Sequence, residues 1–416
     1  MVMVSIRLTG FSQDTLRLTL PQAEQRFLQK NFVLMAQKFN INFAEAAVSQ
    51  AKLWDNPNLQ LEFNSYNPNT GTLFPLSNTS GDPANSNGGG YNIQVQQMFN
   101  LTKRRSRLVT LSETNVALQQ AAFQDAMRIL RFQLVQSFGN VYNEQQQYNM
   151  LQLESQQLVN LLVAFKAKLK LGVIAEYEVT RLELEQKNLN SVLKNLSDQI
   201  SQEQANLRVL LVENGQLYIQ TVTEANIEKV IPTLDNLVEL AHANRPDLQV
   251  MDKTLVYNKQ NLTYQQALAT PRLMLGLNFQ KYGSVYPSYF SVQAGIDLPV
   301  KNRNQGNIQA AKIGIDQSAQ TQNQVRLQVD QDVVSAYQQY QHTMDLQKTL
   351  TTDYVQRIKE ISKNANDDYS KRIIDLVSFI DKIRAYKDAQ LNIIDLNSKV
   401  FQAQQQLNFV TNSNIF

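Results

Sequence analysis

The chain has 416 residues, 43% of them hydrophobic, and a formal net charge of +3, too small and too scattered to call for a nucleic-acid partner. Cysteine is absent, which excludes disulfides, thiolate metal sites and a cysteine nucleophile. No apolar run reaches the length of a membrane-spanning helix, so a membrane would have to be crossed by strands.

Met1–Gln13 reads either as the tail of a secretory signal, interrupted by Arg7, or as a plain disordered tail. A first structural repeat is expected over residues 14–212. Thr15 to Leu53 reads as helical, entered at Leu20-Pro21 and ended by Asn56-Pro57. Leu59-Gln60-Leu61-Glu62-Phe63-Asn64 then alternates strictly, as a strand wet on one face and buried on the other requires, over about 58–66. Residues 67–90 are rich in Asn, Gly, Pro and Ser and read as a long solvated loop; Gly88-Gly89-Gly90 stands before a strand, not between strand and helix, and is no phosphate cradle. A second strand is expected over about 91–100, with Ile93, Val95 and Phe99 on one face.

From Lys103 to Leu171 a helical pattern continues without proline and with one glycine, Gly139. At 1.5 Å per residue that helix would reach about 100 Å, far beyond what a globular core needs. Leu151, Leu158, Leu162, Phe165 and Leu169 fall on a 3-4 spacing, with Ser155 in the one missing position. Beyond Gly172 the seam restarts at Val179, Leu182, Leu189, Leu193, Leu196, Ile200, Leu207 and Leu210, broken at Gln186 and Glu203. The spacing predicts an antiparallel helical hairpin over about 102–211 that turns near Gly172.

A connector is expected at 213–230 and a second repeat at 231–416. The first third of the chain recurs at a shift of about 214 positions: Leu20 returns as Leu234, Pro57 as Pro271, Leu59 as Leu273, Asn64 as Asn278. Strands are expected over about 272–281 and 289–298, and a second long helical hairpin over about 301–409. Each half is thus helix, strand, strand, very long helix, returning helix. Four strands cannot close a barrel, so the strands must combine with other copies of the chain.

These residues resemble the TolC-type outer-membrane efflux channel family along nearly the whole chain. Asn244-Arg245-Pro246-Asp247-Leu248 is similar to the family's RPDL segment, and Asn56-Pro57-Asn58-Leu59 to its NPxL segment. Leu101-Thr102-Lys103-Arg104 and Pro299-Val300 with Asn304-Gln305-Gly306-Asn307-Ile308 resemble the heavy-metal efflux (CusC/CzcC-like) branch, although Thr102 departs from its usual glycine. Leu171-Gly172-Val173-Ile174-Ala175 resembles the family's periplasmic tip. The fold class implied is mainly α with membrane β: a homotrimer whose twelve strands, four per chain, form one barrel in the outer membrane, continuous with a long periplasmic helical barrel. Leu59, Leu61, Phe63, Leu273, Leu275, Leu277 and Phe279 would face lipid, and Gln60, Glu62, Asn64 and Asn278 water.

The resemblance also implies a narrowed periplasmic entrance. Asp375 falls on the family's first ring aspartate and Lys371 on its closing arginine, while Ser378 replaces the second aspartate; Glu178 takes an acidic place in the first repeat, and Asp367 and Asp368 lie beside them. Repeated carboxylates around an axis would focus cations. The plainer alternative is ordinary charge on a solvated helix end. Gly172, Val173, Ile174, Ala175, Tyr369 and Ser370 would form tips that dock a periplasmic adaptor, or that pack on adjacent tips instead. Lys103, Arg104, Arg105 and Arg107 read as interfacial anchoring, and Trp54 as a belt residue or a packed aromatic. His242 and His342 read as incidental. No catalytic, cofactor or metal constellation is found, so the expected function is a passive exit duct, without cofactor or nucleic acid, serving an inner-membrane pump of the RND type and exporting metal ions or small toxic compounds. The alternatives are a type I protein-secretion duct of the same fold and a soluble coiled-coil scaffold.

Overall fold

The computed structural model describes residues 14–68, 71–74, 90–222, 231–282 and 286–416. The reading of Met1–Gln13, that of Gly88 and Gly89, and part of the connector at 213–230 lie outside them. In chain order the described elements are β1 (Thr15–Thr19), α1 (Leu20–Lys30), α2 (Phe32–Ala51), β2 (Asn58–Phe63), the short pair β3 (Tyr66–Asn67) and β4 (Thr72–Leu73), β5 (Tyr91–Asn100), α3 (Arg104–Lys170) and α4 (Glu176–Leu211). Then come β6 (Tyr218–Val222), α5 (Leu234–Asn244), α6 (Pro246–Leu268), β7 (Arg272–Tyr282), β8 (Tyr286–Ile296), α7 (Gln305–Thr349), α8 (Thr352–Ser370) and α9 (Leu376–Thr411). They fall into two compact units, one of Met1–Lys38, Phe123–Leu248 and Val325–Phe416, the other of Phe39–Ala122 and Gln249–Gln324. Both units draw on both halves of the chain, so compactness cuts across the sequence duplication.

The second unit holds a four-stranded antiparallel sheet in the order β2-β5-β7-β8. Its register places Leu59, Val95, Leu277 and Val292 in one row, and Leu61, Ile93, Phe279 and Phe290 in another on the same face. Between these rows Gln60, Gln94, Asn278 and Ser291 line up on the opposite face. Period-two alternation, carried through four strands in register, therefore makes one face apolar and the other amide-rich. Gln94 donates its side-chain amide to Gln293 on that second face. β2 and β8 are the sheet's two edges. Pro287 lies in β8, where an edge position tolerates the missing N–H.

The first unit is helical, and its seams follow the apolar spacing. Leu151, Leu158, Leu162 and Phe165 of α3 are buried with Val179, Leu182, Leu189, Leu196 and Ile200 of α4. Ser155 donates to Asn190 at 3.3 Å, and Lys166 pairs with Glu183 at 2.7 Å, so the two helices run antiparallel from the turn. Glu203, a break in the seam, accepts from Ser137 at 3.3 Å.

Three expectations for local structure are corrected. Thr15 to Thr19 is not helical but a strand, paired in parallel with β6, which lies inside the expected connector. Thr-Leu-Arg-Leu-Thr alternates with period two, and the pair is held from the side by helix amides: Gln204 exchanges bonds with both the N–H and the carbonyl of Ile219, while Gln145 donates to the Ile219 carbonyl at 2.8 Å and accepts from the Thr221 N–H at 3.2 Å. The entry helix is also cut at Asn31, whose side chain accepts from the Val33 and Leu34 N–H groups and restarts the helix as α2. The second long helix breaks between α7 and α8. Thr349, Thr351 and Thr352 crowd the break, and Thr351 caps α8 by accepting from the Tyr354 N–H at 3.2 Å.

The duplication persists in the turns, but its shift changes. Gly172 and Arg372 both have positive φ, as do Val212 and Asn412 at the ends of α4 and α9, so after the second strand the shift is 200 positions. The strand-connecting loop of the second repeat is shorter than that of the first, and the whole of the later chain moves up with it.

Gly139 has a packing reason. A Cβ there would stand 2.8 Å from the Phe401 ring of α9. Gly139→Ala is expected to lower stability by about 1–3 kcal/mol through overpacking. Thermal unfolding of the variant checks this, with Gly139→Ala/Phe401→Leu recovering most of the loss.

Candidate functional site

Two turns close the helical unit at one end. After α3, the Gly172 N–H bonds the Leu169 carbonyl at 2.9 Å and the Val173 N–H bonds that of Lys168 at 3.0 Å. After α8, Arg372 and Ile373 repeat this with Tyr369 and Asp368 at 3.0 and 2.8 Å. This paired pattern needs a left-handed residue, supplied by Gly172 at φ +70° without strain and by Arg372 at φ +58° with it. Leu171 is 79% exposed and Ile373 66% exposed, whereas Ile174 and Ile374 turn inward to the core. Val173 is exposed as well, and Ala175 is the residue that starts α4.

Beneath the turns lies an aromatic cluster. Tyr369 stacks on Phe165 with ring centroids 5.3 Å apart and meets Phe379 at 5.1 Å. Its hydroxyl donates to Glu178 at 2.9 Å, tying α8 to α4. Burial, reinforced by that carboxylate, pushes the phenol's pKa up, so Tyr369 stays a donor. Lys382 of α9 pairs with Asp368 at 3.2 Å, and Arg384 of α9 bonds Glu185 of α4 through Nε at 3.0 Å. The Lys166 hydrogen bond and charge hold the Glu183 carboxyl below its usual range.

The structure thus joins Tyr369 to Glu178 and gives Asp368 a partner. Asp375 is exposed, and its carboxylate accepts from the Ser378 N–H at 2.8 Å, capping its own helix. Hydrogen bonding by Ser378, through its side chain and then its backbone, lowers the Asp375 pKa and keeps it ionised. Lys371 is exposed at the end of α8, while Ser370 donates to the Asp367 carbonyl at 2.8 Å. By the turns' own alignment the counterpart of Asp375 is Ala175, and that of Glu178 is Ser378. Sequence reasoning placed Phe165 in the seam but not beneath the tip, and missed Phe379, Lys382 and Arg384, which join it only through folding. Arg372 had a signal: it stands where Gly172 does in the other turn.

The Arg245-Pro246-Asp247-Leu248 segment holds a second constellation. Arg245 is almost fully buried and grips Asp247 with two bonds, of 3.1 and 2.6 Å, and Asp332 with one of 3.0 Å. Arg128, also buried, joins through Asp125 at 2.8 Å and Asp247 at 3.5 Å. Burial opposes both charges of the Arg245–Asp247 pair. Their mutual bonds outweigh it, leaving the Asp247 carboxyl below and the Arg245 guanidinium above the ordinary value. Arg245 also reaches the Val410 carbonyl at 3.4 Å, as Asn31 reaches that of Leu210 at 3.0 Å, so the two repeats use one position for the same link. His242 pairs with Asp330 at 2.6 Å.

Glu144 of α3 is the most perturbed carboxyl. Burial, then the charge of Glu203, raises its pKa to about 7. Since folding raises this pKa, its contribution to stability is full below the ordinary carboxyl range near 4.5 and is lost as pH rises to about 7. Glu144→Gln is therefore expected to gain about 1–2 kcal/mol over the native chain at pH 8, discounted for partial exposure, and almost nothing at pH 4. Denaturation midpoints at the two pH values check it.

Residues 237–413 match the family model described as outer membrane efflux protein. That match falls within the second repeat. A search of the curated proteins finds no match. Among solved structures, the fold of this chain is similar to that of CusC, in a study of folding and transmembrane channel formation, at a TM-score of 0.76 and 16% identity over 95% of this chain and 92% of that one. The outer membrane protein VceC from Vibrio cholerae is similar at 0.73 and 14%, over 95% and 97% of the two chains. The CmeC outer membrane channel from Campylobacter jejuni is similar at 0.73 and 12%, over 94% and 85%. The likeness in fold thus spans both repeats.

Proposed function

We propose that this chain is the passive exit duct of a tripartite export system. Three copies would gather their four-stranded sheets into one twelve-stranded barrel in the outer membrane, with the helices extending into the periplasm. The observation that carries this reading is the sheet itself: one face is apolar through four strands in register, and among the described residues β2 and β8 each have a strand neighbour on one side alone, which suits a closed barrel assembled from several chains. The exposed Leu171, Val173 and Ile373 suit docking of a periplasmic adaptor, through which an RND-type inner-membrane pump would supply the energy. Metal ions or small toxic compounds are the proposed cargo.

Asp375, with Glu178, Asp367, Asp368 and Lys371 around it, is the proposed entrance filter. Its capping bond allows charge and structure to be separated, because asparagine caps a helix about as well as aspartate. In planar bilayers Asp375→Asn is expected to lower cation selectivity and weaken block by polyvalent cations with thermal stability unchanged. Native selectivity in Asp375→Asn would reduce Asp375 to a cap; absence of any channel conductance in the native protein would remove the duct reading.

A further inference from the structure

All four junctions between helices and sheet lie at one end of the strands: before β2, after β5, before β7 and after β8. Chemistry at that end is uneven. Lys52, Lys103, Lys301 and Arg303 are exposed there, and Arg105 stands over the Trp54 ring at 3.9 Å. The acids of the same junctions are Asp55 and Asp297, and Asp297 is taken by Arg272 at 2.9 Å. Arg104 and Arg107 are used otherwise, donating to the carbonyls of Leu268 and Thr263 at 3.3 and 2.8 Å and so clamping α3 to α6. At the opposite end of the strands the charges among the described residues are Glu62 and Lys281, beside tyrosines and phenylalanines.

The cationic end also exposes apolar side chains. Trp54 is 65% exposed, and Leu53, Leu101, Leu298 and Val300 of the same junctions are exposed. Long basic side chains next to exposed apolar ones satisfy two layers at once, hydrocarbon below and charged headgroups above. A free cationic surplus at one end, unlike the balanced far end, gives that layer a sign.

We propose that the helix-bearing end of the sheet is a binding belt for anionic phospholipid headgroups, anchored by the Arg105–Trp54 pair and charged by Lys52, Lys103, Lys301 and Arg303. This rests on the reading that the sheet spans a membrane. With its central carbon 3.9 Å from the indole centroid, the Arg105 guanidinium would offer its N–H donors to a phosphate, and Trp54 would lie at the depth of the glycerol layer. Lipid selection would follow from charge, so salt must weaken it.

Trp54 is the only tryptophan in the chain, which makes the belt its own reporter. The full-length protein is reconstituted in phosphatidylcholine vesicles carrying a minor fraction of acyl-brominated lipid, either phosphatidylglycerol or phosphatidylcholine, and Trp54 emission is recorded. The expected result is several-fold stronger quenching by the brominated phosphatidylglycerol at low ionic strength. That preference disappears at about 0.5 M salt, where the Debye length falls to a few ångström, and in Lys103→Gln/Lys301→Gln/Arg303→Gln, which leaves Arg105 and Trp54 in place. Equal quenching by both lipids at low salt overturns the belt while leaving the membrane reading intact. Quenching by neither overturns the membrane reading itself.

Discussion

Replacing Arg245 by alanine is expected to cost about 3–5 kcal/mol. The reason is asymmetry between breaking a buried ion pair and replacing it. Arg245 is buried against Asp247 and Asp332; its removal leaves Asp247 to Arg128 at 3.5 Å and the Leu248 N–H at 3.0 Å, and Asp332 to the Gln328 amide at 2.7 Å. It also frees the Val410 carbonyl near the end of α9. A chain in which Arg245 and Asp247 both become apolar is expected to lose much less, because the more deeply buried carboxylate goes with its partner and the one left, Asp332, is part-exposed and bonded to Gln328. Denaturant midpoints of the two variants check this, and equal losses would contradict it. The same network sets an acid limit. Folding lowers the Asp247 pKa, so its contribution is present above the ordinary carboxyl range and is lost as pH falls through the depressed value.

Tyr369→Ala is expected to loosen the tip and raise single-channel conductance without adaptor. The substitution removes the stack on Phe165, the contact with Phe379 and the bond to Glu178 together. Truncating a packed aromatic costs about 3–5 kcal/mol, here borne by the α8 end alone. Tyr369→Phe keeps both ring contacts and loses one hydrogen bond, worth about 0.5–1.5 kcal/mol. A conductance series rising from native through Tyr369→Phe to Tyr369→Ala, with amide protection at 360–375 falling in the same order, is the predicted pattern. Native conductance and protection in Tyr369→Ala would remove the aromatic cluster from the closure.

Much of the fold is legible in order along the chain because its signals are local. Leu151, Leu158, Leu162 and Phe165 announce a seam by spacing, and all are buried. Leu59 to Phe63 announces a strand by alternation, and its apolar residues share one face with those of β5, β7 and β8. Gly172 announces a turn because that conformation favours glycine. What failed to show was whatever depends on distant partners. The strand at Thr15–Thr19 is five residues long and gains its mate at Tyr218–Val222, some two hundred positions away. Arg245 and Asp247 were visible as a motif, but Arg128 and Asp332 were not visible as their company. Tyr369 was picked out as a tip residue, yet its work is done inward, on Phe165, Phe379 and Glu178. Asp375 was picked out for its charge, and its place in the fold adds a cap.

The sheet raises a requirement that a single chain leaves unmet: two edge strands and an apolar face must be covered at once. Projection images of the purified protein in detergent test this most directly. A threefold particle with a hollow axis running its length is the predicted result; a compact single subunit without a through-going cavity would contradict the account.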